Sequence, residues 1–234
     1  MKPNISLLAP TRGRPKFVKE MVQSALETAE NPELLQFVFY ADADDKPTID
    51  LFENGLDGIT KNYTWVVGER IILSQMWNKC WELAEADVFM HAADDIRFRT
   101  KGWDSEVLNA MKEFDDRIVF VHGVDGYAPA DFGTHGFIHR NWTTTVGCFV
   151  PEYFSSDYND TWLNDVAKGI GRHKSLSFYT EHLHPVIGKY HWDRTHIERL
   201  ARGRLDKNKE KYENRATERQ DWCDLLSNYI KEFE

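Results

Sequence analysis

The stretch Ala86-Asp87-Val88-Phe89-Met90-His91-Ala92-Ala93-Asp94-Asp95 is an apolar run of strand length that ends in two adjacent carboxylates. Similar apolar runs recur through the first half of the chain, and the segments between them have the apolar spacing of one helix face. Strands that alternate with helices predict an α/β fold with a mainly parallel sheet. The predicted strands are residues 5–10, 34–40, 63–67, 86–91 and 118–121, and the predicted helices are residues 16–29, 73–84 and 103–114.

The second half of the chain has a different pattern. Residues 123–157 are rich in glycine, histidine and aromatic side chains and show no helical period, so we expect a long functional loop there. A helix over residues 159–171 and a strand over residues 176–179 are predicted next. From about residue 194 the chain is charged and helical, with a predicted packing stripe of Trp222, Leu225, Leu226, Tyr229 and Phe233.

Composition excludes several classes of protein. Of the 234 residues, 41% are hydrophobic and 13% are aromatic, which is too many for a largely disordered chain. The formal net charge of −9 gives no overall basic footprint for nucleic acid. The sequence has no apolar run that is long enough to span a membrane and no signal-peptide apolar region. Its three separated cysteines fit neither a disulfide framework nor a zinc site, so we expect a cytoplasmic protein.

Polar side chains follow three of the predicted strands at the point where each strand ends. Because ligands bind at the carboxyl ends of parallel strands, we expect these side chains to converge on one site. They are Thr11, Arg12 and Arg14 after the first strand, Asp42, Asp44 and Asp45 after the second, and Asp94 and Asp95 after the fourth.

The chemistry of these side chains suits a nucleoside diphosphate. Asp94 and Asp95 offer the oxygen ligands that Mg²⁺ and Mn²⁺ prefer, and such an ion neutralises charge on a leaving diphosphate. Asp42 or Asp44 can accept a hydrogen bond from a base or a ribose hydroxyl, and arginine guanidinium groups suit phosphate. The alternative for each group is a solvated polar turn, because aspartate is common in turns.

Two further segments carry candidate residues. His182 and His184 follow the last predicted strand, and either imidazole can complete a metal shell or be a satisfied histidine at a strand edge. Asp160 and Asp165 lie on the helix after the glycine-rich segment, where a carboxylate can act as a general base. Asp160 also fits the alternative role of a helix N-cap.

Taken together, these segments resemble a GT-A glycosyltransferase of the family 2 kind. Residues 5–15 resemble its opening strand and Pro-Thr-x-x-Arg turn, and residues 37–42 its second strand, whose terminal Asp contacts the nucleotide base. Residues 70–78, which begin with Arg70, resemble the helix before the metal motif. Residues 90–96 resemble the Asp-x-Asp motif in an x-Asp-Asp form, with Ala93 in the place of the first acid.

The resemblance extends into the second half, to about residue 190. Residues 147–151 resemble a Gly-x-Phe strand beneath the acceptor site. Residues 159–163 occupy the place of the family's Glu-Asp pair, with Asn159 replacing the Glu and Asp160 matching the catalytic base. Residues 181–185 resemble the segment with a late His that joins the metal.

The resemblance implies a GT-A fold, a Rossmann-like sandwich with a mainly parallel central sheet and a C-terminal helical tail. It implies a domain over residues 1–193, with a nucleotide-binding half (1–122) and an acceptor half (123–193), and a helical extension over residues 194–234. The implied activity is metal-dependent, inverting transfer of a hexosyl or pentosyl group from a nucleoside-diphosphate sugar to a hydroxyl acceptor, with Mn²⁺ or Mg²⁺ as cofactor. The implied roles are nucleotide binding for Thr11, Arg12, Arg14, Asp42, Asp44, Arg70 and Asp94, metal binding for Asp95 and His182, and catalysis for Asp160 and Asp165.

Two other functions fit part of the pattern. A sugar nucleotidyltransferase or pyrophosphorylase needs a glycine-rich phosphate loop with a lysine after the first strand, whereas the turn here has one glycine and two arginines. A non-catalytic module that binds a sugar or nucleic acid gains support from Ala93.

The acceptor stays open among a glycan, a protein and a modified DNA base. The net charge disfavours DNA. The basic residues between Arg199 and Lys211 alternate with acids and indicate a solvated helix face, but with His135, His139 and Arg140 they leave a DNA contact open.

Overall fold

The computed structural model describes residues 2–56 and 58–233, in which eight strands form one sheet. The strands are β1 (Ile5–Thr11), β2 (Leu35–Asp42), β3 (Tyr63–Gly68), β4 (Val88–His91), β5 (Ile96–Phe98), β6 (Phe120–Val124), β7 (Gly136–His139) and β8 (His173–His182). The helices are α1 (Pro15–Thr28), α2 (Lys46–Glu53), α3 (Leu73–Glu82), α4 (Trp103–Lys112), α5 (Arg140–Val146), α6 (Asn159–Gly169), α7 (Arg194–Leu205), α8 (Asn208–Glu213) and α9 (Ala216–Lys231).

The sheet has the order β3-β2-β1-β4-β7-β6-β8-β5. β1 pairs in parallel with β2 and β4, and β2 pairs in parallel with β3. These are four of the five strands that the sequence predicts in the first half, and the fifth, β6, is separated from them by β7. β7 then lies antiparallel between β4 and β6, and β5 lies antiparallel to β8, so the whole sheet is mixed rather than mainly parallel.

The segment over residues 123–157 is not the unbroken loop expected from the sequence. It contains β7 and α5, and Gly147 ends α5 in the left-handed conformation at φ 87°. α5 has seven residues, three of them threonine, so it is too short and too β-branched to show a helical period. The expected Gly-x-Phe strand over residues 147–151 is therefore wrong, because these residues form a turn and bends after α5.

The core lies on both faces of the sheet. Alternate residues of the central strands point to opposite faces: Leu7 and Phe37 pack under α1, α2 and α4, while Leu8 and Val38 pack under α3, α5 and α6. Helix α9 joins the second layer through Trp222, whose ring centroid lies 5.6 Å from that of Trp162.

The C-terminal packing stripe differs in part from the prediction. Trp222 and Leu226 are buried as expected, whereas Leu225 and Phe233 are exposed. Ile230 and Cys223 complete the buried face of α9 instead. Within residues 2–56 and 58–233, none of the helices combines the length and the hydropathy that a membrane span requires.

Candidate nucleotide and metal site

A cavity of about 260 Å³ opens at the carboxyl ends of β1, β2 and β4. Parallel pairing brings these ends together, since Thr11 lies opposite Ala41 and Leu8 lies opposite His91. The cavity is bordered on its other sides by the segment before α6, the end of β8 and one face of α7.

Most of the candidate residues line this cavity. They are Thr11, Arg12, Arg14, Asp42, Arg70, Asp94, Asp95, Asp160, His182 and His184. Asp44 borders an adjacent pocket rather than the main cavity, and it pairs with Arg12, which lines both. Asp165 is exposed on α6 and accepts a hydrogen bond from the Tyr212 hydroxyl, so the structure does not bring it to the cavity.

Asp42 lies at the end of the cavity formed by β2. Its Oδ2 accepts a hydrogen bond from Arg12 Nη1 at 2.8 Å, and Arg70 Nε lies 3.8 Å away. Its Oδ1 is buried and has no hydrogen-bond partner among the described residues. Burial raises the pKa of Asp42, although the Arg12 charge opposes the shift. The unpaired oxygen makes Asp42 a ready acceptor for a base N–H or a ribose hydroxyl.

Arg14 is buried at the centre of a cluster of carboxylates. Its Nη1 donates to Asp94 Oδ1 at 3.1 Å and to Asp95 Oδ2 at 3.2 Å. Its Nε and Nη2 donate to the two oxygens of Asp193, just before α7, at 2.8 Å each. Thr11 Oγ1 donates to Asp94 Oδ2 at 2.7 Å, so both oxygens of Asp94 are engaged by protein donors.

Asp95 differs from Asp94 in having a free oxygen. Its Oδ1 is buried without a hydrogen-bond partner in the described part of the chain, and it lies 3.6 Å from His182 Nε2. Burial opposes ionisation of Asp95, but His196, His182 and Arg14 outweigh it and hold its pKa below the usual range. Burial raises the pKa of Asp94 to about 6, against the opposing charge of Arg14. Asp95 is therefore the carboxylate that stays ionised and open to a cation.

His135 joins Asp95 and His182 in a group that can hold a metal ion. One ligand atom from each of the three buried side chains lies within 4.8 Å of the others. His135 precedes β7 in the segment expected to be a loop, where its sequence context leaves open only a DNA contact. No signal in the sequence marks it as a ligand, because only the insertion of β7 beside β4 brings it to Asp95.

Asp125 lies beside the Nδ1 atom of the His182 ring. Its Oδ1 accepts hydrogen bonds from the backbone N–H groups of Tyr127 and Ala128, at 2.8 and 2.9 Å. Its Oδ2 faces His182 Nδ1 at 3.6 Å, and the His182 backbone N–H donates to the Asp125 carbonyl at 3.1 Å. A carboxylate in this position orients an imidazole so that its other nitrogen faces a metal.

Asp160 lies in the first turn of α6 and lines the same cavity. Tyr158 is the N-cap of this helix, so the alternative role of Asp160 as N-cap does not hold. Its Oδ1 accepts a hydrogen bond from the Thr161 backbone N–H at 2.7 Å. Burial raises the pKa of Asp160 to about 6, which brings the carboxylate close to the range where a general base works at neutral pH.

Solved glycosyltransferases share this architecture. Staphylococcus aureus TarS in complex with UDP matches with a TM-score of 0.60 and 14% identity, over 75% of this chain and 60% of that one. TarS with UDP-GlcNAc matches at 0.59 and 15% identity, over 75% and 58%. The mannosyltransferase PcManGT from Pyrobaculum calidifontis, solved with GDP-Man and Mn²⁺, matches at 0.57 and 14% identity, over 76% and 57%.

The chain has the GT-A glycosyltransferase fold. It spans about three-fifths of the length of these solved chains. No model of a known protein family matches the sequence, and a search of curated proteins found no match.

Helix α7 covers one side of the cavity in this GT-A protein. Thr195 Oγ1 donates to the Arg12 carbonyl at 2.9 Å, and Arg202 Nη2 donates to the Ile71 carbonyl at 2.9 Å. Glu198 pairs with Arg70. The solvated helix face expected here is therefore wrong for Arg199 and Arg202, which line the cavity, although Arg204, Lys207 and Lys209 are exposed.

Proposed function

We propose that this protein is a metal-dependent, inverting glycosyltransferase that moves a hexosyl or pentosyl group from a nucleoside-diphosphate sugar to a hydroxyl acceptor. The observation that carries the proposal is the meeting of Asp42, Asp95, His182 and Asp160 in one cavity. These side chains come from four separate segments and provide an acceptor for a nucleoside, a cation site and a base. The GT-A neighbours were solved with UDP, UDP-GlcNAc and GDP-Man, which supports a nucleotide-sugar donor.

The nucleoside would lie at the β2 end of the cavity. Asp42 Oδ1 accepts a hydrogen bond from the base or the ribose, because no protein donor in the described ranges occupies it. Arg12 and Arg70 lie beside Asp42 and offer guanidinium groups toward phosphate. Thr11 fixes Asp94, and Asp44 acts indirectly by holding Arg12.

The residues at the other end fit a divalent cation. Asp95 Oδ1 is buried without a partner in the described part of the chain, which is unfavourable for a charged oxygen. A bound cation would offset this unfavourable free energy. Asp95 and His182 would hold Mn²⁺ or Mg²⁺ there. A bound ion would neutralise the charge that develops on the leaving diphosphate. Arg14 is held by Asp94 and Asp193 and donates to Asp95, so it favours the ionised form of Asp95 both with and without a bound ion.

Asp160 would act as the base on the acceptor side. The acceptor oxygen forms its bond to the anomeric carbon as the bond from that carbon to the diphosphate oxygen breaks, and the leaving diphosphate takes the electron pair. The acceptor proton passes to Asp160, whose raised pKa suits this transfer. A single displacement of this kind inverts the anomeric configuration. Asp165 takes no part, because its side chain lies outside the cavity.

The proposal is tested by incubating the protein with a panel of nucleoside-diphosphate sugars and Mn²⁺. We expect release of the nucleoside diphosphate, and NMR of the product should show the anomeric configuration opposite to that of the donor. Release of pyrophosphate would instead indicate a nucleotidyltransferase, and a product with retained configuration would remove the role of Asp160 as base. Failure to bind any nucleotide would favour the non-catalytic module.

A further inference from the structure

The Asp-x-Asp pattern of the sequence lacks its first acid, because Ala93 stands in that place. Asp94 does not compensate, since Thr11 and Arg14 engage both of its oxygens. Asp95 and His182 alone would leave a cation with two protein ligands. The structure has a third buried group at the same point, and it is an imidazole rather than a carboxylate.

His135 has the geometry of a ligand. It is 7% exposed, and its Nδ1 lies 3.2 Å from the His91 carbonyl, which fixes the tautomer with the proton on Nδ1. Its Nε2 is buried and has no hydrogen-bond partner among residues 2–56 and 58–233. With the proton on Nδ1, the lone pair of the neutral ring lies on Nε2.

Two unpaired atoms, Asp95 Oδ1 and His135 Nε2, belong to side chains of this three-residue group. His135 and His182 have ring centroids 5.0 Å apart, and His182 Nε2 lies 3.6 Å from Asp95 Oδ1. Two ligand atoms that each lie about 2.1 Å from one ion are roughly 3 to 4.2 Å apart. The ligand atoms of these three side chains lie within 4.8 Å of one another, so each pair must approach by less than about 2 Å to bind an ion. Side-chain rotation is enough for a movement of this size. A cation at this point would satisfy Asp95 Oδ1 and His135 Nε2 together.

We infer that His135 is the third protein ligand of the metal site and replaces the acid that is absent at Ala93. The centre is then one carboxylate and two imidazoles. This inference rests on the proposed function only for the role of the ion in transfer, since the ligand set itself follows from the geometry. Imidazole ligands suit first-row transition ions, whereas Mg²⁺ prefers oxygen ligands and keeps its water. The site therefore selects Mn²⁺, or another transition ion, over Mg²⁺.

The test measures binding of the metal alone to the full chain. Mn²⁺ and Mg²⁺ titrations by calorimetry give the two affinities, and pulsed EPR of bound Mn²⁺ counts the coordinated imidazole nitrogens. We expect the unaltered protein to bind Mn²⁺ at least about tenfold more tightly than Mg²⁺. The EPR spectrum should contain two imidazole couplings.

The variant His135→Asn keeps a donor toward the His91 carbonyl and removes Nε2. It should lose one imidazole coupling and bind Mn²⁺ at least about tenfold more weakly, since perturbing even the supporting shell of a ligand has that effect. His191→Asn is the control: His191 is exposed and does not line the cavity, so both couplings and the affinity should persist. His135→Asp restores an acid and should narrow the preference for Mn²⁺ over Mg²⁺.

An EPR spectrum of the unaltered protein with only one imidazole coupling would overturn the inference, whether or not the variants fold. Unchanged Mn²⁺ affinity in a folded His135→Asn variant would do the same. Two couplings without any sugar transfer would leave the ligand set standing and reject the proposed function instead, so the two failures are distinguishable.

Discussion

Asp95 and His182 are held together by the shortest strand of the sheet. Ile96, the first residue of β5, pairs with His182, the last residue of β8, and Asp95 immediately precedes Ile96. The result is the 3.6 Å separation between Asp95 Oδ1 and His182 Nε2. A strand of three residues thus fixes two candidate ligands that lie far apart in sequence.

Removing the Asp95 carboxylate should abolish most of the transfer activity. Loss of one preorganised group that stabilises developing charge typically costs at least about 100-fold in kcat, and we expect this for Asp95→Asn. Asp131→Asn removes an exposed carboxylate elsewhere and should keep full activity. Steady-state kinetics with Mn²⁺ measures both. An Asp95→Asn enzyme with near-normal kcat would be incompatible with the proposed role.

The activity should depend on pH through Asp160. The pKa of this carboxyl is raised to about 6, so the basic form that accepts a proton predominates above that pH. We expect kcat/KM to rise as pH increases through about 6 and then to level off. Asp160→Asn should lower kcat by about 100-fold or more and remove this acidic limb. A pH profile with the same limb in the variant would assign the titration to another group.

Asp125 should act on the metal through His182. Asp125→Asn replaces the acceptor that faces His182 Nδ1 with a group that can present a donor there. Loss of such a supporting carboxylate typically weakens metal binding by about 10- to 100-fold. Calorimetric Mn²⁺ titration measures the change, and Asp116→Asn, which alters a buried carboxylate paired with Arg172, serves as the control. Equal Mn²⁺ affinity in Asp125→Asn and the unaltered chain would show that Asp125 does not orient the ligand.

The ion pair between Arg14 and Asp193 should fasten α7 over the cavity. Asp193 both pairs with Arg14 and caps α7 by accepting from the His196 backbone N–H at 2.9 Å. Asp193→Asn keeps the cap but loses the charge, so we expect the free energy of unfolding to fall by about 1.5 to 3 kcal/mol. Asp193→Ala loses the cap as well and should fall by about 1 kcal/mol more. Urea unfolding checks this order, with exposed Asp221→Ala as the control; equal stability of all three variants would argue against the fastening.

The first half of the fold could be predicted because each of its signals is local. β1, β2 and β4 are continuous apolar runs, and α1 and α3 show the spacing of one apolar face, so the α/β fold expected from the sequence is confirmed. The antiparallel insertion of β7 could not be predicted, because a four-residue strand and a short threonine-rich helix carry no period. Because this insertion of β7 beside β4 is what brings His135 to Asp95, the position of His135 in the site could not be predicted from the sequence either.

The candidate site could be predicted in part for the same reason. The end of an apolar run marks the polar residues that follow it, and this local pattern is enough to place Thr11, Asp42 and Asp95 at one edge of the sheet. Groups that reach the cavity through tertiary packing carry no such mark. His196 and Asp193 come from the segment around the start of α7, whose charged sequence resembles an ordinary solvated helix. The catalytic and binding roles remain predictions.

The most direct measurement of the central claim is the melting temperature of the protein with nucleoside diphosphates, in the presence and absence of Mn²⁺. Binding to the native state at about 100 times Kd adds roughly 2.7 kcal/mol, which corresponds to about 5 to 10 °C in a chain of this size. We predict a rise of this order with a nucleoside diphosphate and Mn²⁺ together, and a much smaller one with either alone or in Asp95→Asn. Melting temperatures that no nucleoside diphosphate changes, with or without the metal, would contradict the account.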